Sequence, residues 1–360
     1  MAAPGADSVV VVVGRGARRQ MIRSTQRAFS TVDPMSMDPA LRLVPAQAID
    51  IERLCALHNR SEAYDGVPRV LQVEELREEL DDETIVLASD VRIAEFEGEA
   101  VGYVYTAHMP SDVRLEKCMV FGQVAPDWRG RGIGTALLTW GTERARQQLA
   151  TSTNDLPKFI RVDTYAFIES ACRLHARMGF VPERWFEELL RPLGDLPAQA
   201  EVGGIDVVDW PVASDGRDDE IRFVKNTAFA DHWASSPTSA EQWAHHVRGF
   251  GARPDLSVVA VERDSGRIVG LSLNHRYVAD DDLIGRRDGW VSTLATLAEW
   301  RGRGVASALI VASLHRFAAA GLTHASIGVD SDSPTGAGRL YRSLGFAPLM
   351  RSVASQIQVS

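Results

Sequence analysis

The chain has 360 residues, 45% hydrophobic and 24% charged, enough for two domains of about 150 residues with their own cores and too apolar for wholesale disorder. A net charge of −9, from 39 basic and 48 acidic residues, argues against a phosphate-tracking nucleic-acid binder, and no stretch approaches the roughly 18 apolar residues of a membrane span. Cys55, Cys118 and Cys172 form no CxxC pair and leave one over in any pairing, so they read as reduced thiols of a cytoplasmic protein with no metal cluster.

Residues 1–38 do not read as part of a domain. The apolar run Val9 to Val13 is followed by Arg15, Arg18, Arg19, Arg23 and Arg27, with no acid after them before Asp33. Gly14 and Gly16 hint at a dinucleotide fingerprint, but its third glycine position is Arg19 and no ribose-binding acid follows in context. The acid-poor, Arg-rich stretch resembles a transit peptide. A disordered tail, or a start at Met35 or Met37, is the simpler expectation.

The first unit is expected at 39–193. It opens with a helix over Ile49–Asn59, a loop at Asp65-Gly66 and a polar helix over Val73–Leu80. Strand-like runs follow at Thr84–Ala88, Arg92–Phe96, Ala100–Ala107 and Met119–Val124. A Gly-rich segment then leads into a helix over Gly134–Ala150, a strand at Phe159–Thr164 and a helix at Ser170–Met178. A final strand pair is expected near Trp185–Leu190. The breakers Pro192, Gly194, Pro197, Gly203 and Gly204 place a linker at 194–204.

The second unit, 205–360, repeats that order. Val258–Glu262 and Arg267–Asn274 read as strands about an Asp264-Ser265-Gly266 turn, Trp290–Thr296 as the strand before a second Gly-rich segment, and Ala306–Ala320 as an amphipathic helix. Each unit is therefore mixed α/β, a mostly antiparallel sheet flanked by helices. The repeat is explicit in the residues. Trp128-Arg129-Gly130-Arg131-Gly132-Ile133-Gly134-Thr135-Ala136-Leu137 returns 172 residues later as Trp300-Arg301-Gly302-Arg303-Gly304-Val305-Ala306-Ser307-Ala308-Leu309. Ala171-Cys172-Arg173-Leu174-His175 and Gly179-Phe180 return 166 residues later as Ala337-Gly338-Arg339-Leu340-Tyr341 and Gly345-Phe346.

A strand that runs through Arg-x-x-Gly-x-Gly/Ala into a helix suits a phosphate. Glycines let the backbone approach an anion, the unpaired N–H groups of the first helical turn point at it, and flanking arginines add charge. A tight turn whose glycines only permit the bend is the plainer alternative, and its recurrence in two copies weighs against it. On these segments, and on Leu340-Tyr341-Arg342-Ser343-Leu344-Gly345-Phe346, the sequence resembles the GCN5-related N-acetyltransferase (GNAT) superfamily twice over. The tandem order and the Asp65-Gly66 loop are similar to the mycothiol synthases, whose two domains play unequal parts. Those carry a substrate-binding acid shortly after such a loop, for which Gln72, Val73 and Glu74 offer no counterpart.

The resemblance implies acetyl-CoA as cosubstrate and two acyl-CoA N-acyltransferase folds in tandem. Its pyrophosphate would lie on Arg129, Gly130, Arg131, Gly132, Ile133, Gly134 and Thr135 in one copy. In the other it would lie on Arg301, Gly302, Arg303, Gly304, Val305, Ala306 and Ser307. Backbone groups of Gly122, Gln123 and Val124, or of Leu294, Ala295 and Thr296, would pair with the pantetheine arm. A neutral amine would attack the thioester directly, which asks for a proton acceptor, carbonyl-binding N–H groups and a proton donor for the thiolate.

Tyr341 stands where the superfamily places a thiolate-protonating phenol; the alternative is a half-buried aromatic with its hydroxyl on solvent. The first copy has His175 there. Glu116 and Asp288 both sit thirteen residues before the loop arginine, and Asp288 is the candidate proton acceptor. Asp330 and Asp332, with Ser333, would lie close to the cofactor side and either bind a cationic amine or cap the following helix, capping being the expectation for Ser333. His232, Trp233, Trp243, His245 and His246 enrich the second unit without metal-ligand spacing. The expectation is a catalytic C-terminal domain beside a cofactor-binding N-terminal domain with turnover lost. Its acceptor would be a small-molecule primary amine, and the molecule a monomer with an internal pseudo-dimer or a weak homodimer. A protein lysine or N-terminal acetyltransferase and an acyl-CoA sensor with little turnover are the rivals.

Overall fold

A computed structural model describes residues 40–359 except 212–214, 231, 234, 236 and 334–335, so the readings of 1–38 fall outside the described residues. The first half runs β1 (Leu41–Pro45), α1 (Ile51–Asp65), α2 (Val73–Leu80), α3 (Leu87–Asp90), β2 (Val91–Phe96), β3 (Glu99–Met109), β4 (Glu116–Val124), α4 (Ile133–Ala150), β5 (Lys158–Tyr165), α5 (Glu169–Arg177) and β6 (Val181–Pro192). The second half runs β7 (Ile205–Asp209), α6 (Asp218–Phe229), α7 (Ala240–Arg248), β8 (Val258–Glu262), β9 (Ile268–His275), α8 (Asp281–Ile284), β10 (Asp288–Thr296), α9 (Val305–Ala319), β11 (His324–Asp330), α10 (Ala337–Ser343) and β12 (Ala347–Val359).

Local chemistry explains most boundaries. α1 stops at Gly66, whose φ of 75° closes the helix in the left-handed conformation. α2 starts on a Gln72/Glu75 capping box. Thr84–Ala88 is not a strand. Asp82 accepts from the Thr84 N–H (2.8 Å) and Asp90 from the Val86 N–H (2.7 Å), and these side-chain bonds coil the segment into a turn leading to α3. Near Trp185–Leu190 there is one continuous strand, β6, in place of a pair. Ser333 is not the helix cap, because α10 begins four residues later, at Ala337, and Gly336 holds the cap position.

The strands form one mixed, mostly antiparallel sheet of order β1-β2-β3-β4-β5-β12-β6-β11-β10-β9-β8-β7. The two halves trade their last strands. β6 pairs antiparallel with β11 of the second half, and β12 pairs antiparallel with β5 of the first half, while β6 and β12 pair with each other at the centre. One apolar core fills the second half around α6, α7 and α9. In the first half, one cluster lies between the sheet and α1–α2 and another between the sheet and α4.

Candidate active site

Each half has a strand pair that parts midway. β4 runs parallel to β5 only over residues 116–119, and β10 to β11 only over 288–291. Residues 120–124 and 292–296 continue with strand neighbours on the other side alone, β3 and β9 respectively. An extended chain with its own amides fits beside such a strand by completing the ladder.

Both parted strands lead into glycine loops of the same shape. Gly130 and Gly132 have φ of 77° and 83°, Gly302 and Gly304 of 73° and 90°. Those left-handed conformations favour glycine and turn the chain directly into α4 and α9. The first intrahelical bonds are donated by Ala136 and Ala308, so the N–H groups of Ile133, Gly134 and Thr135, and of Val305, Ala306 and Ser307, have no partner within their helix. A Cβ built on Gly130, Gly132 or Gly302 would meet nothing within 4 Å, which leaves the loop faces open. These features fit a diphosphate-bearing cosubstrate.

The loop arginines all have partners within the protein. Arg129 donates from Nε to the Val124 carbonyl (3.1 Å) and from both terminal nitrogens to Asp65, while Arg301 donates from Nε to the Thr296 carbonyl (3.2 Å) and from Nη2 to the Ala228 carbonyl (3.0 Å). Arg131 and Arg303 lie over Trp128 and Trp300, at 4.5 and 4.7 Å from the ring centres. All four brace the loops.

The halves diverge where the chemistry would occur. β10 bulges at Ser292, whose hydroxyl donates to the Leu273 carbonyl (3.0 Å), whereas β4 pairs with β3 in unbroken register. The bulge shifts the faces by one residue. Asp288 consequently lines a cleft, whereas Glu116, at the same spacing from its loop, is buried and bonded to His108 (2.6 Å) and Asn154 (3.1 Å). Arg286 Nε holds both oxygens of Asp288, at 3.0 and 2.9 Å. Burial raises the Asp288 pKa and Arg286 opposes the rise.

Tyr341 is fully buried, so its hydroxyl is not on solvent, and that hydroxyl has no hydrogen-bond partner among the described residues. Burial keeps the phenol protonated far above its ordinary range. A buried donor without a partner is costly, and this one packs in the second half's apolar core. The Thr296 hydroxyl, at the end of β10, is also buried and unpartnered. In the first half, burial pushes His175 down to about 4, so the imidazole is neutral near pH 7. Under α1 and α2 the first half is packed with its own polar groups. Tyr103 stacks on Tyr105, with ring centres 6.3 Å apart, and bonds His58 Nδ1 (2.7 Å), while the Tyr105 hydroxyl donates to Glu79.

The cleft, of about 170 Å³, crosses β10, β11, β6, β12 and β5 and so draws on both halves. Trp290, Tyr277, Phe186 and Tyr165 make its walls. Glu188 of β6 faces into it, a residue with no signal in the sequence because its importance depends on the strand exchange. Asp330 accepts from the Asp332 N–H (2.9 Å), and Asp332 pairs with Arg184 (3.3 Å), so these acids organise the end of β11. Trp243 is core, 6.4 Å from Trp210 by ring centres, whereas His246 bonds Thr293 beside the bulge (3.0 Å).

Comparison with known proteins decides the family. An acetyltransferase (GNAT) domain profile matches residues 87–182, and an acetyltransferase (GNAT) family profile matches 220–346. A mycothiol acetyltransferase of Frankia alni is 32% identical over 64% of this chain and 68% of its own length; one from Gordonia bronchialis is 31% identical over 66% and 73%. The chain belongs to the GNAT acetyltransferase family. Its activity is that of an N-acetyltransferase, and its two GNAT domains lie in tandem. A GCN5-related N-acetyltransferase from Sphaerobacter thermophilus superposes with a TM-score of 0.70 at 25% identity, covering 90% of this chain and 97% of that one. A tandem GNAT protein from the clavulanic acid biosynthesis pathway shares the fold, with a TM-score of 0.67 at 19% identity over 88% and 98%. Among the described residues, no helix of this tandem GNAT chain is long and apolar enough to cross a membrane.

Proposed function

We propose that the chain is an acetyl-CoA-dependent enzyme that acetylates the primary amine of a small molecule, with the chemistry in the second half, 205–360. The observation that carries this reading is the buried hydroxyl of Tyr341, without a hydrogen-bond partner among the described residues, in the half whose parted strand also bulges. Bound acetyl-CoA supplies a thioester. The open N–H groups from Val305 to Ser307 hold its diphosphate, and the free edge of Leu294, Ala295 and Thr296 holds the pantetheine arm. Tyr341 gives its proton to the departing sulfur. The first half, 39–193, keeps a second cosubstrate loop, over Gly122, Gln123 and Val124 and residues 129–135, without turnover. Its neutral His175 and the tyrosines packed under α1 and α2 support that division.

A cleft built from both halves supports a small acceptor enclosed by the molecule over an extended peptide, and relatives named as mycothiol acetyltransferases point the same way. The traded strands support a fused pseudo-dimer working as a monomer. Thr135→Asp and Ser307→Asp test the assignment. Each places a carboxylate at a half-buried position of a first helical turn, where the helix tolerates it and a diphosphate does not. Calorimetric titration of acetyl-CoA is expected to show two binding events, each variant losing one, and only Ser307→Asp is expected to lose thiol release with amines. Activity lost in Thr135→Asp alone would reverse the division, and no binding to the unmodified chain would sink it.

A further inference from the structure

We propose that Glu188, on the strand that the first half contributes to the second half's sheet, binds the acceptor's ammonium group and takes its first proton. The inference rests on the functional reading above and adds the residue that receives the amine.

Position is the first argument. The last pair between β10 and β11 is Val291 with Ile327, and the next residue, Gly328, faces the cleft. Across from Gly328 on β6 stands Glu188. Directly opposed residues on paired strands have side chains about 5 Å apart, and Gly328 has none. The carboxylate of Glu188 therefore borders the point where β10 and β11 part, with no β11 side chain in between.

Availability is the second. The other carboxylates nearby are held: Asp163 by Arg161 through two bonds of 2.8 Å, Asp288 by Arg286, and Glu187 by Arg342 (2.7 Å). Asp280 is turned to the Val70 N–H (2.7 Å). Glu188 forms no ion pair among the described residues and accepts one hydrogen bond, from the Tyr165 hydroxyl (3.2 Å). Burial raises its pKa, against the pull of that hydroxyl and of the charges on Arg69 and Arg286, which face the cleft from the α1–α2 connection and from the approach to β10. A cation that displaced water from this carboxylate would be held there.

The first half supplies an internal comparison. Its last β4–β5 pair is Met119 with Arg161, and the next cleft-facing residue of β5 is Asp163, already neutralised by Arg161. Across from Asp163, the strand contributed by the second half places Ala354. The exchange therefore puts an unpaired acid beside one parting point and a methyl group beside the other.

The proton balance closes. The ammonium gives one proton to Glu188, the freed lone pair forms the C–N bond, and the C–S bond of the thioester breaks. The nitrogen's second proton leaves to solvent, and the sulfur receives one from Tyr341, which solvent restores. Glu188 passes its proton to water, so each turnover releases one.

Two measurements on the full chain test this. Glucosamine, cysteamine, tyramine and cadaverine are titrated into protein saturated with CoA, and acetyl transfer to the same amines is followed by thiol release from pH 5 to 9. Glu188→Gln is expected to weaken amine binding at least tenfold and lower kcat/KM at least a hundredfold. The KM for acetyl-CoA should hold, and the acid limb of the pH profile should vanish. Glu188→Asp should lose less and keep that limb, and Glu183→Gln, exposed on the same strand, should match the unmodified protein. Binding and transfer within threefold of normal in Glu188→Gln overturn the proposal and leave the acetyltransferase reading standing. Glu188-dependent amine binding with no transfer to any of these amines overturns that reading and, with it, the proton-accepting role given to Glu188. No amine binding at all to the unmodified chain overturns the proposal.

Discussion

Asp65, the last residue of α1, grips Arg129 of the first glycine loop through both terminal nitrogens, at 2.5 and 2.9 Å. The second half replaces that carboxylate with a backbone carbonyl, Ala228 at the end of α6, reached by Arg301. A helix end thus fixes the loop in both halves, by an ion pair in one and a neutral acceptor in the other.

Asp65→Ala should therefore act on one half only. It removes a partly buried, two-bond ion pair, which costs about 1–3 kcal/mol of stability and loosens the first loop. Calorimetry should show the first-half acetyl-CoA event weakened roughly tenfold by the same arithmetic, with thiol release intact. Equal weakening of both events would mean that the pair supports the whole molecule and has no particular role in its own loop.

Tyr341→Phe separates stability from activity. The hydroxyl it removes has no partner among the described residues, so the variant should unfold at the same urea midpoint or slightly above it. Loss of a positioned proton donor should slow acetyl transfer about 10²–10⁴-fold while acetyl-CoA still binds. An undiminished rate would return Tyr341 to a packing role.

Much of the fold was legible in the sequence because local signals agreed with it: the repeated loops, the polar helix at Val73–Leu80 and the strands about Asp264-Ser265-Gly266 are where the pattern puts them. The Thr84–Ala88 segment misled because its β-type residues are overruled by the Asp82 and Asp90 side chains. Equal spacing from the loops also made Glu116 and Asp288 look equivalent, and a single bulge at Ser292 sets them on opposite faces. Least legible was the partner choice of β6 and β12. Either strand has the pattern to close either sheet, so nothing local in Glu188 or Ala354 announces which half it serves.

Glu79 gives a pH signature. Burial raises its carboxyl to about 7, against the hydroxyl of Tyr105 that bonds it. A raised carboxyl means that the folded state binds the proton more tightly than the unfolded chain. The destabilisation is thus absent below the ordinary value near 4.5, grows as pH rises, and is complete above about 7. Glu79→Gln should match the unmodified protein in urea melts at pH 4.5 and exceed it by roughly 3 kcal/mol at pH 8. A gain of the same size at both pH values would show that ionisation is not the cause.

The traded strands predict that the linker can be cut without parting the halves. Residues 198–201 are exposed and lie between the Pro197 carbonyl held by His315 (2.9 Å) and buried Val202, so a protease site placed there disturbs neither anchor. After cleavage, one fragment still carries β6, paired to β11 over 186–192 and 324–330, and the other still carries β12, paired to β5 over 352–359 and 158–165. Separation would strip three ladders at once, the central β6–β12 pairing included, and leave six strand edges bare, a state open to aggregation. The nicked protein should elute from gel filtration as a single species of about the intact 39.4 kDa and come apart only in denaturant. Thiol release should persist as well, because Glu188 stays beside Gly328. Two folded fragments eluting separately in buffer would show that each half closes its own sheet, and the cleft built from both would fall with that result.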